Sequence, residues 1–97
     1  MLTSKQRSFL RAKANGIESI FHVGKGGVSE NLINQLDEAL ESRELIKITV
    51  LSNSEFTARQ ASDVICSMLK CEGIQSIGNK MVLYRKSSRK PKIEFPS

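Results

Sequence analysis

The sequence predicts a single α/β domain: one mixed four-stranded sheet with helices, in two layers, in the chain order α-β-α-β-α-β-β. Three observations lead there. Ninety-seven residues suit one domain that buries roughly 60–70% of its unfolded surface, enough for one modest core. Two long stretches carry apolar residues at helical spacing, and they alternate with short runs rich in β-branched residues. Strand–helix–strand units require right-handed crossovers and therefore parallel pairing, while a late Gly-Asn pair closes an antiparallel hairpin.

Thr3 and Gln6 fit a capping box for a first helix near residues 4–15, and Asn15-Gly16 is a stop. Phe9 and Leu10 are its main apolar anchors. Arg7 and Arg11 stand one turn apart and project from the same side. Residues 17–23 read as a first strand. Ser29 is a good N-cap for a second helix over residues 30–43, where Leu32, Ile33, Leu36, Ala39 and Leu40 form one stripe. Glu30, Asp37 and Glu41 lie on its opposite face, expected to be solvated and without a task. Residues 45–51 form a second strand with Ile46, Ile48 and Val50 on one side. After the polar turn Ser52-Asn53-Ser54, residues 56–70 read as a third helix whose apolar face holds Ala58, Ala61, Val64, Ile65, Met68 and Leu69. Gly73 is the expected stop. Residues 74–77 and 80–85 flank the Gly78-Asn79 turn as the last two strands. The remainder, SSRKPKIEFPS, has two prolines and no periodicity, and reads as a loose basic tail. The expected division is thus a domain over residues 1–86 and a tail over 87–97.

The net charge is +5, and its distribution says more than its sum. Residues 1–13 hold Lys5, Arg7, Arg11 and Lys13 without an acid. Residues 80–92 hold Lys80, Arg85, Lys86, Arg89, Lys90 and Lys92, again without one. Between them, residues 30–44 hold five acids against Arg43. Basic ends around an acidic middle suggest one side that faces a polyanion and one turned away. The apolar runs are too short for a membrane span or a signal peptide, so a soluble cytoplasmic protein is expected. If Cys66 and Cys71 share a helix, about 140° separates them around its axis, which keeps them from a common metal or an easy disulfide.

The tetrapeptide Gly24-Lys25-Gly26-Gly27 holds half of the six glycines. It joins the first strand to the N-terminus of the second helix, where backbone N–H groups lack partners and the helix dipole is positive. A phosphate could sit there with Lys25 adding a charge. The P-loop pattern is absent, and Ser29 stands where a dinucleotide loop needs its third glycine. What remains is G-x-x-G, as in loops that clamp a nucleic-acid backbone, or simply a tight turn.

The runs LTSKQRSFLRAKAN, IFHVGKGGVSENLINQLDEALESRELIKITVL and SIGNKMVLYR together resemble the CRM domain, named for chloroplast RNA splicing and ribosome maturation, and more narrowly its stand-alone bacterial YhbY-like members. The resemblance covers residues 2–86. It implies a fold like the C-terminal domain of translation initiation factor three, RNA binding, and association with precursors of the large (50S) ribosomal subunit. The RNA-binding residues it implies are Gly24, Lys25, Gly26 and Gly27 of the loop and Lys5, Arg7, Arg11 and Lys13 of the first helix; Arg85 and Lys86, from the basic run after the last strand, are expected to join them. A monomer that binds ribosomal RNA, with no cofactor, metal or small-molecule substrate, is expected.

Two other classes compete. An enzyme would need a reactive constellation, but the lone His22 reads as a packed or edge residue that could touch RNA near the loop. A protein-interaction module could dock its acidic helix on a ribosomal protein, and a small-nucleotide binder could use the loop. The five aromatics include no paired set for base stacking, so shape and backbone recognition of structured RNA is expected.

Overall fold

The computed structural model describes residues 2–96; Met1 and Ser97, the outer ends of the expected division, lie outside the described residues. The elements follow the expected order: α1 (Ser4–Ala14), β1 (Ser19–Val23), α2 (Glu30–Arg43), β2 (Leu45–Val50), α3 (Ala58–Leu69), β3 (Glu72–Ile77) and β4 (Lys80–Tyr84). Each helix starts on a side-chain cap. Thr3 and Gln6 form the expected capping box, with Gln6 N donating to Thr3 Oγ1 at 3.1 Å and Thr3 N to Gln6 Oε1 at 2.9 Å. Thr57 and Gln60 repeat it, which is why α3 begins at Ala58, where its apolar stripe begins, and not at the expected residue 56. Gly73 does not end α3. Lys70 does so, by adopting the left-handed conformation at φ 54, and Gly73 lies inside β3.

The sheet order is β1-β2-β4-β3. β1 and β2 are parallel, as the crossover through α2 demands, and the other two pairs are antiparallel. Alternation along β2 and β4 divides their side chains between two cores. Val23, Ile46, Ile48, Val50, Met81 and Leu83 meet Ile33, Leu36 and Leu40 of α2 and Ala61 and Ile65 of α3. Leu45, Ile74, Val82 and Tyr84 lie on the other side under Leu10 and Ala14 of α1. Sheet and α2–α3 pair are the two expected layers; α1 and the C-terminal segment cover part of the opposite face.

That segment is not the loose tail its composition suggests. Glu44 is fully buried. Its carboxylate accepts from the backbone N–H of Ser87 and Ile93, both at 2.8 Å, and of Lys92. Glu41 accepts from Ser87 Oγ at 2.7 Å and from the N–H groups of Ser88 and Arg89. Phe95 then sets its ring 5.7 Å from that of Phe9 and 5.8 Å from that of Tyr84. The α2 face expected to be idle therefore straps the chain end down. The two acids are held below the ordinary carboxylate range. For Glu44, burial pushes upward, but the three backbone donors and the Lys86 charge outweigh it. For Glu41, the Ser87 hydroxyl is the main cause.

Glu44 also has φ 68, a conformation that costs a non-glycine residue on the order of 1–3 kcal/mol. Three hydrogen bonds to a buried charge, each about 1.5–3 kcal/mol, exceed that cost.

Glu44→Ala should lower the unfolding free energy by about 2–4 kcal/mol, because three N–H groups lose their acceptor. Glu44's folded pKa lies below its unfolded one, so its contribution is complete above the ordinary carboxylate range and fades as pH falls through the folded value. In denaturant titrations the gap between wild type and variant should therefore narrow from about pH 7 to about pH 3. A gap that stays constant would contradict a charged Glu44.

Candidate nucleic-acid interface

The glycine turn stands where β1 and β2 both end. Leu51 N donates to Val23 O at 2.8 Å beyond the last paired residues, and Gly27 N donates to Gly24 O at 2.9 Å to close the turn. The glycines have different reasons to be there. Gly27 sits at φ 68, and a Cβ on it would lie 3.1 Å from the Phe56 ring. Gly24 would place a Cβ at an ordinary 3.6 Å from Leu51. A Cβ on Gly26 would meet nothing within 4 Å, so no contact inside the fold needs its lack of a side chain. Lys25 between them is exposed. Ser29 caps the helix by accepting from Leu32 N at 3.1 Å.

The register extends this corner across the sheet. His22 lies beside Thr49, Thr49 beside Lys80, and Lys80 beside Ile77. In the next row Lys47 stands between Ser19 and Val82. By alternation these side chains leave the face that α2 and α3 cover. They share the face of α1, which packs on Leu45, Val82 and Tyr84 toward the other end. Among them His22 and Lys80 are exposed, and Ile77 is 64% exposed. Val50 N donates to Asn79 O, which holds the β3–β4 turn at the same end as the glycine turn. Lys25, His22 and Lys80 thus occupy one end of the sheet.

The other expected residues divide. Lys5, Arg11 and Lys13 are exposed on α1, with Arg11 donating to Ser8 Oγ at 2.9 Å. Arg7 is partly withdrawn: it donates to Gly73 O at 2.9 Å and to Glu72 Oε2 at 3.3 Å, pinning α1 to β3. Arg85 departs from the expected role. Its guanidinium donates to Asp37 Oδ1 at 2.7 Å, Asp37 O at 3.0 Å and Leu69 O at 3.1 Å, and only 21% of the side chain is exposed. The reason is alternation: Tyr84 faces α1, so Arg85 turns to α2 and α3. Lys86 is exposed, but it follows the end of β4 that pairs with Leu45, across the sheet from the glycine turn.

Lys80 opens the basic run of residues 80–92, whereas Lys47 belongs to no charge run. The available signal was period two in LIKITV, whose polar members Lys47 and Thr49 oppose Ile46, Ile48 and Val50. Among the described residues no three His, Cys, Asp or Glu side chains gather to hold a metal. No helix among them is long and apolar enough to cross a membrane.

Residues 2–85 match the family model of the CRS1 / YhbY (CRM) domain. The chain is 47% identical over 96 residues to a Bacillus subtilis protein named "Probable RNA-binding protein YqeI", covering 99% of this chain and 100% of that one. It is 32% identical over 95 residues to a Haemophilus influenzae protein named "RNA-binding protein", covering 98% and 95%. The solution structure of SAV1595 from Staphylococcus aureus superposes with a TM-score of 0.80 at 43% identity, over 99% of this chain and all of that one.

The glycines give a clean contrast. Gly27→Ala should cost about 1–2 kcal/mol in thermal or denaturant unfolding, from the left-handed backbone and the crowded ring. Gly26→Ala should stay within about 0.5 kcal/mol of wild type. Equal losses would mean that Gly26 is also held by the fold.

Proposed function

Because the chain belongs to the CRS1 / YhbY (CRM) domain family, we propose that it binds structured RNA through the phosphate backbone, as a binder rather than a catalyst. The glycine turn admits the backbone: Gly26 leaves open room for close approach, Gly24 and Gly27 shape the turn around it, and Lys25 adds a cation near the start of α2. Lys80, Lys47 and His22 continue the surface along the sheet. Lys5, Arg11 and Lys13 extend it over α1, and Lys86 contributes through the longer-range field. Arg7 acts indirectly, by holding α1 in place. The observation that carries this reading is Gly26, a position where the fold itself has no use for glycine, next to an exposed lysine.

The narrower proposal is ribosomal RNA within precursors of the large (50S) subunit, bound by a monomer in the cytoplasm to assist assembly. The family resemblance of the glycine turn, the helix after it and the ELIK strand supports it, with residues 1–86 as the binding domain and 87–97 as an appended basic segment. The protein-docking alternative relied on the acidic face of α2. Asp37 and Glu41 on that face are engaged by Arg85 and residues 87–89, which weakens it.

Affinity for large-subunit ribosomal RNA fragments should fall with salt at a log–log slope near −3 to −5, for about 4–6 phosphate contacts. Lys25→Glu should weaken binding by about 1–3 kcal/mol without changing the melting temperature by more than a few degrees. Arg59→Glu, on α3 and exposed, is the charge-matched control and should have a much smaller effect. Equal losses in the two variants would show that only net charge matters and that the turn is no contact.

A further inference from the structure

The two cysteines meet. Cys66 lies in the last turn of α3, and Cys71 follows the left-handed Lys70 that ends the helix. The premise that both sit on one helix therefore fails, and the reversal at Lys70 brings the sulfurs to 3.4 Å, with Cys71 Sγ–H donating to Cys66 Sγ. The main chain fixes this geometry, since the N–H groups of both Lys70 and Cys71 donate to Cys66 O. Ser62 Oγ lies 3.9 Å from Cys66 Sγ. Gly73 packs behind the pair: a Cβ there would be 3.0 Å from Ser62 Oγ. Both thiols are half-buried and line an open cleft of about 420 Å³ with Arg59, Asp63 and Glu72.

We infer that Cys66 and Cys71 form a reversible modification site at which a small peroxide oxidises the dithiol to an intramolecular disulfide. The spacing leaves the sulfurs little more than an ångström from the ~2.05 Å of an S–S bond. The thiolate is the reacting form of cysteine, and the pair divides the roles. The hydrogen bond from Cys71 lowers the Cys66 pKa to about 7, against burial and the charges of Asp63 and Glu72. The same bond and burial raise that of Cys71, with the Arg85 charge opposing. Cys66 is thus the attacking sulfur and Cys71 the resolving one.

In the first step Cys66 sulfur attacks one oxygen of hydrogen peroxide. The O–O bond breaks, the departing hydroxide takes a proton to become water, and Cys66 becomes a sulfenic acid. Cys71 sulfur then attacks Cys66 sulfur. The S–O bond breaks, and the departing hydroxide takes the Cys71 proton to leave as a second water. Two thiols and one peroxide give one disulfide and two waters, with the two electrons supplied by the sulfurs. A dithiol reductant reverses the change by exchange. The new bond would tie the end of α3 to the start of β3, next to Glu72 and Gly73, where Arg7 of α1 is anchored.

The test uses the intact chain, its Cys66→Ser and Cys71→Ser variants, and hydrogen peroxide, with circular dichroism to confirm folding. In wild type both thiols should disappear together, the monomer should lose two hydrogens in mass, and dithiothreitol should restore them. Cys71→Ser should instead accumulate a sulfenic acid that dimedone traps at Cys66. In Cys66→Ser, Cys71 should react with peroxide at least about tenfold more slowly than Cys66 does in Cys71→Ser. Disulfide-linked dimers, loss of one thiol without the other in wild type, or equal rates in the two folded variants would overturn the assignment.

Discussion

One buried carboxylate joins the parts of this molecule that are far apart in sequence. Glu44 ends α2 by turning the chain at a positive φ, with its N–H bonded to Leu40 O at 2.9 Å. Its carbonyl accepts from Arg85 N at 2.9 Å, which fixes the exit of β4 beside the start of β2. Its side chain takes the N–H groups of Ser87, Lys92 and Ile93. That grip brings Phe95 against Phe9 and Tyr84 and so completes the core beneath α1. A buried charge is tolerable only when its hydrogen-bonding capacity is met, and here the returning chain meets it.

The same arrangement occupies three acids of the chain's middle. Asp37, Glu41 and Glu44 face Arg85 and the main chain of the C-terminal segment, on the side of α2. The glycine turn, Lys80, Lys47 and α1 lie on the other face or at its edge. The acids are engaged internally, whereas Lys25, Lys80 and Lys13 remain exposed. Exposed cations lie on the α2 side as well, where Arg89, Lys90 and Lys92 line a cleft with Asp37, Glu38 and Glu41.

Much of the fold could be read from local rules. The capping box at Thr3, the Leu32–Leu40 stripe and the Gly78-Asn79 hairpin all act over a few residues, and each appears as expected. The box at Thr57 and Gln60 was equally local but was masked by the polar and aromatic residues before it. What could not be read were contacts across more than forty residues: Glu44 to Ile93, Asp37 to Arg85, Phe9 to Phe95. Those contacts turned a loose-looking tail into a strap, and a basic residue expected to meet RNA into a clamp on α2 and α3. The glycine turn stood out in the sequence, but the strand residues beside it needed the register. Lys80 reaches the end of the sheet that holds the turn only because β2 lies between β1 and β4, and Lys47 stands one row farther from that end. The cysteines were misplaced by one residue's backbone angle, at Lys70.

The central claim is that RNA meets one end of the α1-side face and not the α2–α3 side. Amide chemical shifts of the folded protein, followed as a structured ribosomal RNA fragment is added, test it most directly. The account predicts changes grouped at residues 22–29, at Lys47, Thr49 and Lys80, and along α1, with α3 and the outer face of α2 silent. Changes centred on α2, α3 and residues 85–92, with the glycine turn unmoved, would contradict it.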